Sequence, residues 1–197
     1  MSLTVEKCIE GWVNSLKQLK LKADIVFFGD SLTYYGDFAS VFPDKVVCNL
    51  GLRGDTIQNM LCRVEQIEIL EPKQVFLMAG INDIAFCNDN VFGELFESLV
   101  RAVTERNPRA QLILQSITPV NNIDFTISCT NEQIRRCNKV IEIIALNNKL
   151  AFLDLYSKYE INGSLSIEET EDGLHLKREA YRKWYDMLTQ FEKGRQM

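Results

Sequence analysis

The sequence predicts an α/β fold in which helices pack on both faces of a five-stranded parallel sheet. Five short apolar runs of strand length alternate with segments of helical periodicity. The runs show little polar alternation, which is typical of parallel strands that are buried on both faces. The chain has 197 residues, a length that suits one domain. We therefore expect a single three-layer α/β/α domain over residues 1–197.

The predicted strands are rich in β-branched and aromatic residues, and the first three end close to a glycine. They are Asp24–Phe28, Lys45–Asn49, Gln74–Ala79, Gln111–Ser116 and Leu150–Leu155. The predicted helices carry apolar residues at spacings of three and four. They are Val5–Leu19, Asp55–Leu70, Val91–Arg106, Asn131–Leu146 and Arg178–Phe191. The first helix lies within residues 1–22, and we expect it to pack on the domain as an N-terminal addition.

Charge and hydropathy exclude two classes of partner. The chain has 22 Lys and Arg against 27 Asp and Glu, a net charge of −5, and no basic run. An acidic chain of this kind is a poor candidate for binding nucleic acid. No apolar stretch approaches the roughly 20 residues of a membrane helix. We therefore expect neither a nucleic-acid partner nor an integral membrane segment, and the sequence leaves a homodimer open.

The six cysteines are widely spaced, and none forms a Cys-x-x-Cys pair. With a single histidine in the chain, no spacing typical of a zinc site is present, so we expect no metal. We interpret the cysteines as mostly reduced thiols, which indicates a cytoplasmic protein. The first residues do not form a signal peptide. A leader removed ahead of Met1 would instead indicate a periplasmic or secreted protein.

Residues that can carry chemistry occur in four segments, of which three follow predicted strands. The first is Gly29-Asp30-Ser31-Leu32-Thr33, where the Ser31 hydroxyl stands just past a strand end, in position for nucleophilic attack. The second is Asn49–Thr56, where Gly51 and Gly54 allow a tight turn with exposed N–H groups that can stabilise an oxyanion. Taken separately, each segment also fits a plain turn or a helix cap, with Asp55 as the cap in the second.

The third and fourth segments supply an amide and an imidazole. Asn82, in Gly80-Ile81-Asn82-Asp83, offers a side-chain donor past the third strand, although a capping role is equally ordinary. In Asp172-Gly173-Leu174-His175, the spacing of three allows Asp172 to hold the His175 ring and to stabilise its cation. His175 is the only histidine. Any serine–histidine mechanism in this chain therefore requires His175.

In this order, the four segments resemble the sequence blocks of the SGNH, or GDSL-type, hydrolases. The resemblance extends from about Ile25 to Trp184. The stretch Asn107–Leu112, followed by Ile117-Thr118-Pro119, is similar to the branch that contains the platelet-activating-factor acetylhydrolase catalytic subunits and the lysophospholipase-like esterases. The resemblance implies a flavodoxin-like sheet of order 2-1-3-4-5 and an acyl hydrolase that needs no cofactor and no metal.

The resemblance also implies a role for each site residue. Ser31 is the expected nucleophile, His175 its general base and Asp172 the residue that orients the imidazole. The Ser31 N–H, the Gly54 N–H and the Asn82 side chain are the expected oxyanion hole. The expected reaction is hydrolysis of a carboxylic ester through an acyl-enzyme. The expected substrate is a short-acyl ester, above all an acetyl ester, of a small molecule or a carbohydrate.

Three alternatives remain open at the level of sequence. A lysophospholipase-type lipid esterase would use the same residues on a different ester. A catalytically silent α/β binding module would keep the fold without activity. An aspartyl phosphotransferase would use Asp30, but Leu32 stands where the usual Asp-x-Asp signature needs its second aspartate.

The requirement for a neutral imidazole predicts the pH dependence of the rate. We expect hydrolysis to decline below about pH 6–7, the range in which free histidine titrates, because a protonated ring cannot accept the Ser31 proton. Initial rates on a soluble ester from pH 4 to pH 9 measure this. A rate that stays flat down to pH 4 would contradict the role of His175.

Overall fold

The computed structural model describes residue 11, residues 13–18 and residues 20–194. Its centre is a parallel sheet of five strands in the order β2-β1-β3-β4-β5. The strands are β1 (Ile25–Gly29), β2 (Val47–Gly51), β3 (Gln74–Met78), β4 (Gln111–Gln115) and β5 (Ala151–Leu153). The predicted fold class, the parallel pairing and the strand order are confirmed.

Helices and short turns connect the strands. The helices are α1 (Ser31–Tyr34), α2 (Ile57–Leu61), α3 (Glu65–Leu70), α4 (Asp89–Arg106), α5 (Asn131–Asn147), α6 (Leu155–Tyr159) and α7 (Tyr181–Gly194). Two 3₁₀ turns cover Phe38–Val41 and Ile167–Glu169, and a small antiparallel hairpin consists of β6 (Glu160–Ile161) and β7 (Ser164–Leu165). This hairpin and α6 lie where the sequence showed no regular pattern.

The sheet separates two hydrophobic clusters. Val26 and Phe28 of β1 belong to the cluster that contains the buried faces of α4 and α5. Ile25 and Phe27 belong to the other cluster, which contains Trp184 and the rest of the buried face of α7. Successive strand residues point to opposite faces of a sheet, so β1 is buried on both sides. The three layers follow from this alternation.

The two long helices begin at capping side chains. The Val91 N–H donates to Asn88 Oδ1 over 3.0 Å at the start of α4. At the start of α5, Thr130 and Gln133 form a capping box in which each side chain accepts from the other residue's backbone N–H. The predicted start of α5 at Asn131 is confirmed. The predicted start of α4 at Val91 is two residues late, because Asn88 caps the helix.

The predicted helix over Asp55–Leu70 is wrong as a single element, because the structure divides it into α2 and α3. The Cys62 and Arg63 N–H groups donate to carbonyls three residues back, over 3.1 and 3.0 Å, which closes a tight turn instead of continuing an α-helix. The predicted strand Leu150–Leu155 is also shorter in the structure. Asp154 there accepts the Ser157 N–H and caps α6.

Part of the predicted N-terminal helix lies outside the described residues. Residues 13–18 are helical, and Leu16 packs against the cluster on the α4 and α5 side of the sheet. Over the described ranges, no helix is both long enough and apolar enough to cross a membrane. The cysteines among these residues carry free thiols: Cys48, Cys62, Cys87, Cys129 and Cys137.

Candidate active site

The carboxyl ends of β1, β2 and β3 meet at one edge of the sheet. Gly29, the last residue of β1, is paired with Gly51 of β2 and with Met78 of β3. Each strand is followed directly by one of the segments that the sequence singled out. This edge, the carboxyl edge, is where open α/β sheets place their sites.

Ser31 is the first residue of α1 and is 5% exposed. Asp30 caps this short helix, since its Oδ1 accepts the Leu32 N–H over 2.9 Å. From the last helix, the Tyr181 hydroxyl donates to the Leu32 carbonyl over 2.7 Å. The turn that carries the serine is therefore held by its own capping residue and by the last helix.

The structure brings Ser31 into contact with His175, and His175 with Asp172, although both residues are far from Ser31 in the sequence. The Oγ of Ser31 lies 2.9 Å from His175 Nε2. On the other side of the ring, His175 Nδ1 lies 2.7 Å from Asp172 Oδ2. With its proton on Nδ1, the imidazole donates to Asp172 and accepts from the Ser31 hydroxyl. This is the geometry in which a serine can lose its proton to a histidine.

The Asp172 carboxylate accepts three hydrogen bonds, from the Leu174 N–H, the His175 N–H and the His175 ring. Burial alone would raise the pKa of Asp172, but hydrogen bonds from the His175 ring, the His175 N–H and the Leu174 N–H outweigh that effect. The pKa therefore lies below its ordinary value, and the carboxylate stays ionised beside the imidazole. The Asp172 side chain is 54% exposed, so solvent screens part of its attraction for a charged ring.

The loop that presents Asp172 and His175 depends on Gly173 and Thr170. Gly173 has a φ of +89°, and a Cβ there would lie 2.7 Å from Phe125 Cβ and 2.9 Å from the Asn121 carbonyl oxygen. Any larger residue would be both strained and crowded at this position. The Thr170 hydroxyl donates to the His175 carbonyl over 2.8 Å and accepts the Gly173 N–H over 2.9 Å.

The three expected oxyanion donors, the Ser31 N–H, the Gly54 N–H and the Asn82 side chain, belong to segments at the carboxyl edge. Gly54 has a φ of +70°, which turns the chain sharply between β2 and α2. Among the described residues, no acceptor binds the N–H of Ser31 or of Gly54. Asn82 uses one amide hydrogen to bind the Asp55 carbonyl over 2.8 Å, which leaves its other amide hydrogen available.

Three buried carboxyl groups lie behind these donors. Burial raises the pKa of Asp30 to about 7, although the hydrogen bond from Leu32 opposes the rise. Burial also raises the pKa of Asp83 to about 6, against the hydrogen bond from the Ile57 N–H. Both aspartates accept backbone N–H groups, Asp30 from Leu32 and Asp83 from Ile57. Asp55 does not cap the helix, because Thr56 does so, and it pairs instead with Arg63.

A cavity of about 960 Å³ opens beside Asp172 and His175. Charged and aromatic side chains line it, among them Tyr35, Asp37, Arg178, Arg182 and Tyr185. The Tyr35 ring meets the His175 ring edge to face, with centroids 5.6 Å apart. The cavity can therefore hold a polar group of some size next to the imidazole.

Sequence reasoning named Ser31, Asp172 and His175, which the structure brings into contact. It missed four residues that pack or hydrogen-bond around the site: Arg63, Thr170, Tyr35 and Tyr181. Arg63 carried a usable signal, because it lies three residues after Met60 and four before Ile67 on the apolar face of its segment. Thr170 and Tyr35 showed no pattern, and Tyr181 looked like an ordinary apolar-face residue of the last predicted helix. No group of His, Cys, Asp and Glu within the described ranges is arranged to hold a metal ion.

Comparisons with known proteins agree with this fold. The family model described as GDSL-like Lipase/Acylhydrolase matches residues 27–183. A candidate platelet activating factor from Streptococcus pneumoniae is similar in structure, with a TM-score of 0.81, 24% identity and coverage of 92% of this chain and 91% of its own.

Two further solved structures share the fold. A GDSL-like lipase from Bacteroides thetaiotaomicron has a TM-score of 0.76 and 22% identity, over 94% of this chain and 98% of its own. An acetyl xylan esterase has a TM-score of 0.72 and 17% identity, over 85% and 98%. A comparison with curated protein sequences found no match.

The buried Asp30 predicts a pH-dependent stability. Its pKa of about 7 in the folded chain lies above its ordinary value of 3.8, so the folded state keeps a proton that the unfolded state releases. The free energy of unfolding should therefore fall as the pH rises from about 4 to 7, and D30N should remove roughly 1–4 kcal/mol of that fall. Urea unfolding of the wild type and of D30N at several pH values across this range measures the free energy of unfolding.

Asp83 contributes to the same fall up to about pH 6, so D30N should reduce the slope and not abolish it. D44N is the matched control, because it removes the carboxylate of an exposed aspartate. A D30N variant with the wild-type slope would show that Asp30 does not retain its proton.

Proposed function

This chain belongs to the GDSL-like lipase/acylhydrolase family, and on that premise we propose that it is a serine esterase that removes short acyl groups, above all acetyl, from a small polar molecule or a carbohydrate. The observation that carries the proposal is the continuous contact from Ser31 through His175 to Asp172, with distances of 2.9 and 2.7 Å. A serine in this arrangement has a general base, the imidazole, whose ring is held in place by the aspartate.

The reaction follows from these contacts. Ser31 Oγ attacks the ester carbonyl carbon while its proton passes to His175 Nε2. Asp172 holds the ring through Nδ1 and stabilises the imidazolium that forms. The tetrahedral intermediate collapses to an acyl-enzyme, and the leaving alcohol takes the proton from His175. A water molecule then attacks the acyl-enzyme by the same proton path and releases the carboxylic acid.

The oxyanion would be stabilised by the Ser31 N–H, the Gly54 N–H and the free amide hydrogen of Asn82. The absence of an acceptor for the two N–H groups among the described residues supports this role. A donor that is already free and oriented costs no reorganisation when negative charge develops on the substrate oxygen.

The character of the cavity beside His175 supports a polar leaving group. Tyr35 and Tyr185 offer aromatic faces there, and Asp37, Arg178 and Arg182 offer charged hydrogen-bonding groups. Aromatic faces together with such groups suit a hydroxyl-rich alcohol better than a long alkyl chain. A lysophospholipase-type lipid esterase remains the alternative within the same chemistry, and a silent binding module is the alternative of a different class.

Removal of the nucleophile tests the enzyme class. We expect S31A to hydrolyse p-nitrophenyl acetate at least about 1,000-fold more slowly than the wild type, because no other residue can form the acyl-enzyme. A fluorophosphonate probe should label the wild type and not S31A. Wild-type protein that neither turns over nor labels would support the silent module, and equal rates for both proteins would exclude Ser31 as the nucleophile.

Loss of one oxyanion donor should lower turnover with less effect on substrate affinity. We expect N82A to reduce kcat about 100-fold, because the Asn82 amide acts mainly in the transition state. N88A is the matched control, since the Asn88 side chain caps α4 by accepting the Val91 N–H. An N82A variant with wild-type kcat would remove Asn82 from the mechanism.

Hydrolysis of esters with increasing acyl length distinguishes a short-acyl esterase from a lipid esterase. If the natural acyl group is short, kcat/KM for p-nitrophenyl esters should fall steeply from acetate and butyrate to octanoate. A rise towards octanoate would instead favour the lipid esterase and contradict the short-acyl assignment. S31A provides the background rate for each ester.

A further inference from the structure

Arg63 is buried between the two short helices that follow β2. Its side chain is 1% exposed, and its guanidinium lies 4.3 Å from the centre of the Phe28 ring. It pairs with Asp55 through Nε and Nη2, over 2.7 and 2.5 Å. It also donates to two backbone carbonyls, Leu50 over 2.8 Å and Gly29 over 3.0 Å. One guanidinium therefore binds three separate segments.

Those segments carry the proposed oxyanion donors. Gly29 ends β1 and stands two residues before Ser31. Asp55 directly follows Gly54, and its carbonyl accepts the Asn82 amide over 2.8 Å. Each proposed donor is therefore close to a group that Arg63 binds. Ser31 follows Gly29 by two residues, Gly54 directly precedes Asp55, and Asn82 is hydrogen-bonded to the Asp55 carbonyl.

The separation of these donors is not set by the chain alone. Ser31 and Gly54 follow different strands, and hydrogen bonds to a developing oxyanion must form within a few tenths of an ångström. β1 and β2 are joined by sheet pairing up to Gly29 and Gly51. Just beyond that point, the Leu52 N–H donates to the Gly29 carbonyl over 3.0 Å. Arg63 adds a link from the two strand ends to Asp55, which lies farther along the loop.

The chemistry of arginine suits this task. A planar guanidinium presents five N–H donors in fixed directions, whereas a lysine ammonium is a compact point charge that cannot serve the same separated acceptors. Burial of an ion pair contributes little net stability, because desolvation offsets the attraction. The Arg63–Asp55 pair is therefore better explained by the geometry it imposes than by stability.

We propose that Arg63 is a positioning residue for the oxyanion hole: it fixes the strand end before Ser31 against the loop that carries Gly54 and Asp55, and through the Asp55 carbonyl it fixes Asn82. The role rests on the proposed esterase function. Arg63 touches no substrate and acts only through the segments that it binds.

Kinetics of R63K provide the first readout. We expect kcat to fall about 10- to 100-fold while KM stays within about threefold, because misplaced oxyanion donors weaken the transition state more than the bound ester. In R63A, millimolar guanidinium should restore part of the lost kcat, whereas sodium chloride at equal ionic strength should not. V103A is the control for stability, because it removes buried contacts near the carboxyl end of α4, close to the start of β4.

Hydrogen exchange provides a readout that does not depend on activity. We expect R63K to accelerate amide exchange over residues 50–56 relative to the wild type, and V103A to leave that segment unchanged. D55N breaks the same link from its other end and carries the test if the Arg63 variants do not fold. Unchanged exchange at residues 50–56 in R63K or D55N would overturn the proposal.

The failures of the two proposals are distinguishable. Wild-type protein without esterase activity and without probe labelling would reject the esterase, while exchange at residues 50–56 would still decide whether Arg63 organises the loop. An active wild type with R63K at full kcat would reject the positioning role and leave the esterase intact. An equal loss of kcat in V103A would show that lost stability, and not positioning, is the cause.

Discussion

Parallel pairing of β1 with β2 on one side and with β3 on the other is the constraint on which the rest of the molecule depends. Because these strands run in the same direction, the segments that follow them emerge at one edge. Ser31, Gly54 and Asn82 come from three such segments, so they lie at the same edge without being near in sequence. The last loop of the chain then needs only to bring one imidazole to the same edge.

The contact of Ser31 with His175 and Asp172 was predictable because the chemistry and the position of these residues coincide in the sequence. Ser31 stands three residues past the apolar run that ends at Phe28, and His175 had no competitor because it is the only histidine. The parallel sheet was predictable for a similar reason, since its strands are short and almost wholly apolar. In both cases, the local sequence pattern and the tertiary structure favour the same residue types at the same positions.

The supporting structure was less predictable because it depends on partners that are distant in the chain. Arg63 interrupts a helical pattern, and its acceptors lie in β1, in β2 and in the loop between β2 and α2. Asp55 looked like a helix cap because aspartate favours that position, but the adjacent Thr56 took the role. Tyr181 is 149 positions away from the carbonyl it binds, so no local pattern could identify it.

The charge behind the nucleophile is smaller than the sequence implies. Asp30, Asp55 and Asp83 are all buried, and Arg63 is the one buried cation among the described residues. Full ionisation of all three carboxyl groups would leave excess negative charge in a poorly solvated region. Burial raises the pKa of Asp30 to about 7 and that of Asp83 to about 6, so protons partly neutralise that excess. A protonated Asp30 adds no negative potential beside Ser31, where an oxyanion would have to form.

The contact between Ser31 and His175 joins residues that are 144 positions apart. During synthesis, the amino-terminal end of a chain leaves the ribosome first, so the serine is exposed to the cell long before its imidazole partner has been translated. Until then, the Ser31 hydroxyl has no imidazole beside it. Premature termination or proteolysis ahead of the last loop would therefore yield a fragment that keeps the serine but lacks the imidazole that contacts it.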